Sequence, residues 1–145
     1  MADELSELNF EQDLREILAV QDPHRWKIQN LGGLQVLVTT SSEKAPEEVF
    51  IARLSWERYP DEPPSLKFQD AVTGSLKTPT AWPELRGFRP GSLDACVNWT
   101  KEGFALHPEW RNDPDKKWNP VGNPLLRVIK TLQNELDVYF LRRSQ

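Results

Sequence analysis

The sequence predicts one α+β domain over residues 1–145, with a helix at each end and a four-stranded antiparallel sheet between them. Helical periodicity near both termini and strand-like alternation between residues 26 and 68 predict this class. A chain of 145 residues, 38% of them hydrophobic and 28% charged, is long enough to bury one core.

An amphipathic helix is predicted at each end. The first covers residues 3–21, and Asp22-Pro23 should end it because proline disfavours helix in the preceding residue. Its apolar stripe consists of Leu5, Phe10, Leu14, Ile17 and Leu18. The second covers residues 124–140, with Asn123 as its N-cap and Pro124 in its first turn. Its buried stripe consists of Leu125, Val128, Ile129, Leu132, Leu136 and Phe140. The pair Arg142-Arg143 is interpreted as solvated charge at a helix end.

Alternating apolar and polar residues predict strands at residues 26–29, 34–39, 49–56 and 65–68. Short connections between consecutive strands favour an antiparallel meander. Residues 69–121 show no clean periodicity, and a long irregular stretch in a small domain is typically functional. This irregular region is therefore the predicted place of the active site.

Composition excludes several classes of function. The net charge of -4 gives no basic face for binding nucleic acid. One cysteine cannot form an internal disulfide, and with two distant histidines it offers no metal-ligand spacing. No segment approaches the roughly 20 apolar residues that span a bilayer, and the acidic N-terminus lacks a secretory signal core. We therefore expect a cytoplasmic protein with no cofactor, no metal, no nucleic-acid partner and no membrane partner.

Three motifs occur in an order that resembles the ubiquitin-conjugating (UBC-like) enzyme family. The segment Tyr59-Pro60-Asp61-Glu62-Pro63-Pro64 is similar to the family's Tyr-Pro-x-x-Pro-Pro signature between the third and fourth strands. Cys96 occupies the place of the active-site cysteine, and Trp118-Asn119-Pro120 resembles the family's Trp-x-Pro. The motif residues with an expected structural role are Tyr59, Pro60, Pro63, Pro64, Trp118 and Pro120. Proline fixes φ and removes a donor, so these prolines should lead the chain rigidly out of the sheet.

The chain also departs from the family pattern. Phe88-Arg89-Pro90-Gly91 stands where the family usually carries His-Pro-Asn. The stretches 69–94 and 97–117 are longer than in the family, and the two helices that usually follow the last one here are missing. The resemblance therefore implies a divergent, minimal member of prokaryotic type.

The resemblance implies that Cys96 carries a ubiquitin-like modifier as a thioester and passes it to an amine. Such a thiol must attack one thioester and leave from another. The carboxylate of Asp94, two positions earlier, makes the surroundings unlike those of a protease nucleophile. The polar, turn-rich approach 91–94 predicts that Cys96 is partly accessible in a shallow groove, although a lone cysteine is often a small buried hydrophobe.

Aminolysis also needs a donor for the developing oxyanion, and three residues are candidates here. Asn98 and Asn119 could replace the family's asparagine, although the side chain of each could equally hydrogen-bond the backbone of its own loop. Histidine as a residue type titrates near neutrality, so His107 is a candidate to assist proton transfer. The tryptophans Trp82, Trp99, Trp110 and Trp118 could form a ligand surface or pin irregular chain onto the core.

Partner contacts are also implied by the resemblance. In the family, the first helix and the loops near the two proline motifs bind the activating enzyme and ligases. The equivalent candidates in this chain are Glu4, Glu7, Glu11, Asp61, Glu62, Asn119 and Val121. This surface is acidic in sequence, so we expect basic partners and binding that weakens with salt.

Two other classes of function remain open at this point. One is a non-catalytic UBC/RWD-like binding module, which the missing His-Pro-Asn favours and the cysteine opposes. The other is a small cysteine hydrolase that uses Cys96 with His107.

Overall fold

A four-stranded antiparallel sheet lies at the centre of the computed structural model, which describes residues 3–20 and 25–145. Its strands are β1 (Lys27–Gly32), β2 (Gln35–Ser41), β3 (Val49–Ser55) and β4 (Ser65–Gln69), in that spatial order. Each strand pairs antiparallel with the next. The predicted meander and the α+β class are therefore confirmed.

Strict alternation along β2, β3 and β4 places one face of the sheet in the core. Residue Leu34, predicted as the start of a strand, lies instead in the hairpin turn. Gly33 and Leu34 have φ of 60° and 64°, the positive φ that both central residues of a two-residue type I′ turn require. Leu34 is nevertheless buried, so packing of its side chain offsets the unfavourable backbone conformation.

Helix α1 (Glu4–Val20) is preceded by Asp3, whose carboxylate accepts a hydrogen bond of 2.8 Å from the N–H of Ser6 and so caps the first turn. The predicted helix is present, but the prediction of its buried apolar residues is partly wrong. Ser6, Phe10, Leu14 and Ile17 are buried, whereas Leu5 and Leu18 are 67% and 47% exposed. Each is one position away from the buried row, which turns it about 100° around the helix axis. The predicted stop at Asp22-Pro23 lies outside the described residues.

Helix α3 (Pro124–Tyr139) packs against α1 and β2. Its N-cap is Asn123, as predicted, and the Asn123 side chain accepts from the N–H of Leu126 at 3.0 Å. The predicted buried stripe of α3 is confirmed in full. Phe10 of α1 packs edge-on against Tyr59 at 5.2 Å, so α1 joins the same core at the end of β3.

The irregular region contains short elements only. They are β5 (Pro83–Glu84), β6 (Phe88–Arg89), β7 (Asp94–Ala95) and α2 (Lys101–Leu106), with 3-10 turns before β5, between β6 and β7, and after α2. Strand β6 pairs with β7, and Cys96 is the residue that directly follows β7. Trp82 and Trp99 are buried in the main apolar cluster, which confirms the packing interpretation for these two tryptophans.

The two C-terminal arginines do not lie at a helix end, contrary to the sequence interpretation, and only Arg142 is exposed as solvated charge. They form β8 (Arg142–Arg143), which pairs with β5. Arg143 bonds to Glu48 at 2.8 Å, and its guanidinium lies 4.2 Å from the centre of the Phe50 ring. A planar guanidinium can stack on an aromatic face while it pairs with a carboxylate. Arg143, in the segment after α3, therefore covers the buried Phe50 ring at the edge of the core.

Candidate functional site

Cys96 directly follows β7 and is half-buried. Its backbone N–H donates to the carbonyl of Gly87 at 2.7 Å, which ties the cysteine to the loop before β6. The side chain lines an open groove of about 470 Å³, together with Asn98, Trp110 and Lys116. The predicted partial accessibility of Cys96 is therefore confirmed.

Two glycines and a threonine hold the backbone beside the cysteine. A Cβ on Gly103 of α2 would lie 1.9 Å from the carbonyl oxygen of Val97, and one on Gly87 would lie 2.9 Å from the Val97 side chain. The Thr100 hydroxyl donates to the carbonyl of Ala95 at 2.7 Å and accepts from the N–H of Gly103 at 3.0 Å. None of these three residues was predicted from the sequence, although a glycine inside a short helix signals a close backbone approach.

Arg89 occupies the segment that replaces His-Pro-Asn. Its guanidinium makes two bonds of 2.7 Å to the carboxylate of Asp94. This pair raises the pKa of Arg89, first through the hydrogen bond to Asp94. The Asp94 charge that the sequence placed near the thiol is therefore compensated by a cation.

Asn98 and Asn119 are brought together at a second, smaller groove of about 200 Å³. Asn98 lines both grooves, and its amide donates to the carbonyl of Lys116 at 3.3 Å. The Asn119 side chain instead accepts from the N–H of Val121 at 3.0 Å. Both asparagines thus support loops in this structure, and Asn98 is the one that lies beside Cys96.

His107 does not line the groove of Cys96. It ends α2, and its ring stacks on Trp110 with 4.3 Å between the centroids. Its Nδ1 lies 3.0 Å from a carboxylate oxygen of Glu109. The structure therefore places Trp110, and not His107, in the wall beside the cysteine.

The two proline motifs contact each other. The indole N–H of Trp118 donates to the carbonyl of Pro60 at 2.8 Å. The backbone N–H of Lys101, at the start of α2, donates to the carbonyl of Pro64 at 2.7 Å. Pro63 lines the groove beside Trp118, whereas Pro120 is exposed. The motif around Tyr59 therefore anchors both ends of the stretch 101–118, which follows Cys96.

Tyr59 is buried and joins three parts of the chain. Its hydroxyl donates to the carboxylate of Asp13 in α1, and it accepts from the backbone N–H of Leu125 in α3 at 3.1 Å. Burial, followed by the bond to Asp13, raises the pKa of Tyr59 far above its ordinary value. The hydroxyl therefore stays protonated and remains a donor throughout the neutral pH range.

The candidate partner surface carries mixed charge. Glu4, Glu7 and Glu11 are exposed on α1, and Asn119 and Val121 are exposed before α3. Asp61 and Glu62, however, share a groove of about 510 Å³ with Lys101 and Arg111. Only the α1 part of this surface has the acidic character that the sequence suggested.

Comparison of the chain with protein-family models, with curated proteins and with solved structures finds no match. Within residues 3–20 and 25–145, no group of three or more His, Cys, Asp or Glu side chains could hold a metal ion. None of the helices in these two ranges has both the length and the apolar character needed to cross a membrane.

Proposed function

We propose that the protein is a UBC-like acyl carrier of the cytoplasm. In this proposal an activating enzyme transfers a ubiquitin-like modifier to Cys96 as a thioester, and the modifier then passes to an amine with or without a ligase. The observation that carries the proposal is the position of the sole thiol, half-buried in the lining of an open groove of about 470 Å³. The motif order and the Trp118–Pro60 contact support it.

The chemistry of such a carrier follows from thioester exchange. The Cys96 thiolate attacks the carbonyl carbon of the incoming thioester, and the donor thiol departs with a proton from solvent. An amine then attacks the new thioester, and the Cys96 sulfur leaves. Asn98 is the candidate donor for the oxyanion, since it lies two residues from Cys96 in the same groove. Asn119 and His107 do not line this groove, so any role they have acts through neighbouring residues.

Partner binding is proposed on the surface around α1 and the two proline motifs. The exposed acidic side chains Glu4, Glu7 and Glu11 suit a basic activating enzyme. The groove at Asp61 and Glu62 carries both signs of charge, so the salt dependence of a ligase bound there should be weaker.

A non-catalytic binding module is the second candidate function. The observation that favours it is the Arg89–Asp94 pair, which fills the place of His-Pro-Asn with an ion pair and no asparagine. A cysteine hydrolase is less well supported, because His107 stacks on Trp110 and does not share a groove with Cys96.

Mass spectrometry distinguishes the two candidates. The protein is incubated with an activating enzyme, ATP and candidate ubiquitin-like proteins, and the adduct is analysed with and without reductant. The carrier proposal expects a reducible adduct on the wild type and a reductant-resistant oxyester, or none, on Cys96→Ser. The His107→Ala variant should still form the thioester on Cys96. If no adduct forms while iodoacetamide readily modifies Cys96 in the folded protein, the binding module becomes the better interpretation.

A further inference from the structure

His107 and Trp110 form a stacked pair at the wall of the Cys96 groove. The two rings are nearly parallel, with 15° between their planes and 4.3 Å between their centroids. The backbone N–H of Trp110 donates to the carbonyl of His107 at 3.1 Å, and Phe104 of α2 meets the Trp110 ring edge-on at 5.9 Å. Trp110 lines the groove of about 470 Å³ that holds Cys96. The shape of this groove therefore depends on how firmly the indole is held.

The element that carries Trp110 is weakly anchored. It is the 3-10 turn Pro108–Asn112, none of whose residues is buried. Segments with few buried apolar contacts open locally at a small cost in free energy, while the rest of the domain stays folded. The ring contacts with Phe104 and His107 therefore restrain an indole that its own turn does not fix.

The charge on His107 sets the strength of one of these contacts. Histidine as a residue type gains its proton between about pH 8 and pH 5. A protonated imidazole is attracted to the face of the Trp110 indole and to the carboxylate of Glu109, which lies 3.0 Å from Nδ1. A backbone hydrogen bond, followed by the bond to His107, holds the pKa of Glu109 below its ordinary value, so this carboxylate stays charged throughout that range.

Other charges near the pair oppose this attraction only in part. The Lys116 ammonium lies 5.4 Å from the centre of the Trp110 ring, where it repels a charged imidazole on the same ring. Within residues 3–20 and 25–145, Glu109 is the only salt-bridge partner of His107. The other charged side chains of α2, of the 3-10 turn and of the loop that follows are Lys101, Glu102, Arg111, Asp113, Asp115 and Lys117.

We propose that His107 is a pH-sensitive positioning residue for the Trp110 wall. The protonated ring holds the indole in the wall, and this contribution is lost as the pH rises and the proton leaves. The indole then leaves the wall more often, which uncovers the half-buried thiol of Cys96. A cation–π contact at an exposed site changes the ratio of held to released indole by about two- to fivefold. This brace acts on the shape of the groove whether or not Cys96 carries a modifier.

Alkylation of Cys96 by iodoacetamide, followed by mass spectrometry between about pH 5.5 and pH 8, tests the brace in the full chain. The matched variant is His107→Phe, which keeps a ring for the stack but carries no charge. Dividing the rate of the variant by the wild-type rate cancels the pH dependence of thiol ionisation. We expect this ratio to be about 1 at pH 8 and about 2–5 at pH 5.5. Direct attraction between the His107 charge and the thiolate has the opposite sign, because it raises the wild-type rate at low pH.

Two further variants complete the test. His107→Ala removes the ring as well as the charge, so its ratio should exceed 1 at pH 8 and rise about two- to fivefold by pH 5.5. His24→Phe removes the other histidine of the chain and should follow the wild type at every pH. Ratios for His107→Phe and His107→Ala that do not change with pH would overturn the brace. A ratio for His107→Phe below 1 at pH 5.5, or a pH effect that is lost in His24→Phe, would overturn it as well.

Discussion

Replacement of Tyr59 by phenylalanine tests how the proline motif stabilises the fold. The Tyr59 hydroxyl serves two helices at once, because it donates to Asp13 of α1 and accepts from the N–H of Leu125 in α3. Leu125 belongs to the first turn of α3, where backbone donors have no partner within the helix. Asn123 satisfies the N–H of Leu126, so the Leu125 donor depends on Tyr59.

The magnitude follows from these two bonds. Loss of the acceptor leaves the buried N–H of Leu125 unsatisfied, which costs about 1–3 kcal/mol. Loss of the hydrogen bond from the Tyr59 hydroxyl to Asp13 costs less, about 1 kcal/mol, because Asp13 is only half-buried and water can replace the hydroxyl as its donor. The aromatic ring and its packing remain, so no cavity contributes. We therefore expect Tyr59→Phe to lower the free energy of unfolding by about 2–4 kcal/mol.

Urea unfolding measured by tryptophan fluorescence gives this free energy, since the chain has six tryptophans. The matched control is Tyr139→Phe, which changes the other of the two tyrosines at a side chain that is 37% exposed. That control should change the free energy of unfolding by less than about 0.5 kcal/mol. If Tyr59→Phe loses no more stability than Tyr139→Phe, the Tyr59 hydroxyl does not stabilise the fold by joining α1 to α3.

Three further predictions concern the site and its supports. Gly103→Ala should lower the free energy of unfolding by about 1–3 kcal/mol in the same urea assay, since the new Cβ meets the Val97 backbone. The control Gly91→Ala, with no atom within 4 Å of the new Cβ, should be close to neutral. Equal stability of the two variants would contradict this prediction. Cys96→Ser should lose about 1 kcal/mol or less and all reactivity towards a thiol reagent, and unfolding of the variant would refute the surface placement. Burial raises the pKa of Asp13 above its ordinary 3.8. The contribution of Asp13 to the free energy of unfolding is therefore fully present below pH 3.8 and is lost as the pH rises through the folded-state pKa. Asp13→Asn should remove this decline, and an unchanged pH profile of stability in the variant would count against the prediction.

The prediction of the fold depended on periodicity, and it succeeded where periodicity is strong. Helix α3 was predicted at 124–140 and lies at Pro124–Tyr139, because its apolar residues repeat every three or four positions. Strands β2, β3 and β4 were equally clear, since their alternate residues are buried, whereas β1 extends to Gly32, beyond its predicted end at residue 29, and is mostly exposed. Errors arose at Leu5 and Leu18, where leucines next to the buried row are indistinguishable by composition from those within it. The role of Arg143 was missed because its partners Glu48 and Phe50 are distant in sequence.

For the candidate site, the sequence by itself determined the sole thiol, its turn-rich approach and the order of the motifs around it. Only the tertiary structure decided which side chains share a groove with that thiol. Asn98 and Lys116 lie there and His107 does not, because α2 and the chain after it fold back over Val97 through Gly103. These contacts join residues that local propensity treats as independent, and the close approach of two backbones has no periodic signal in the sequence.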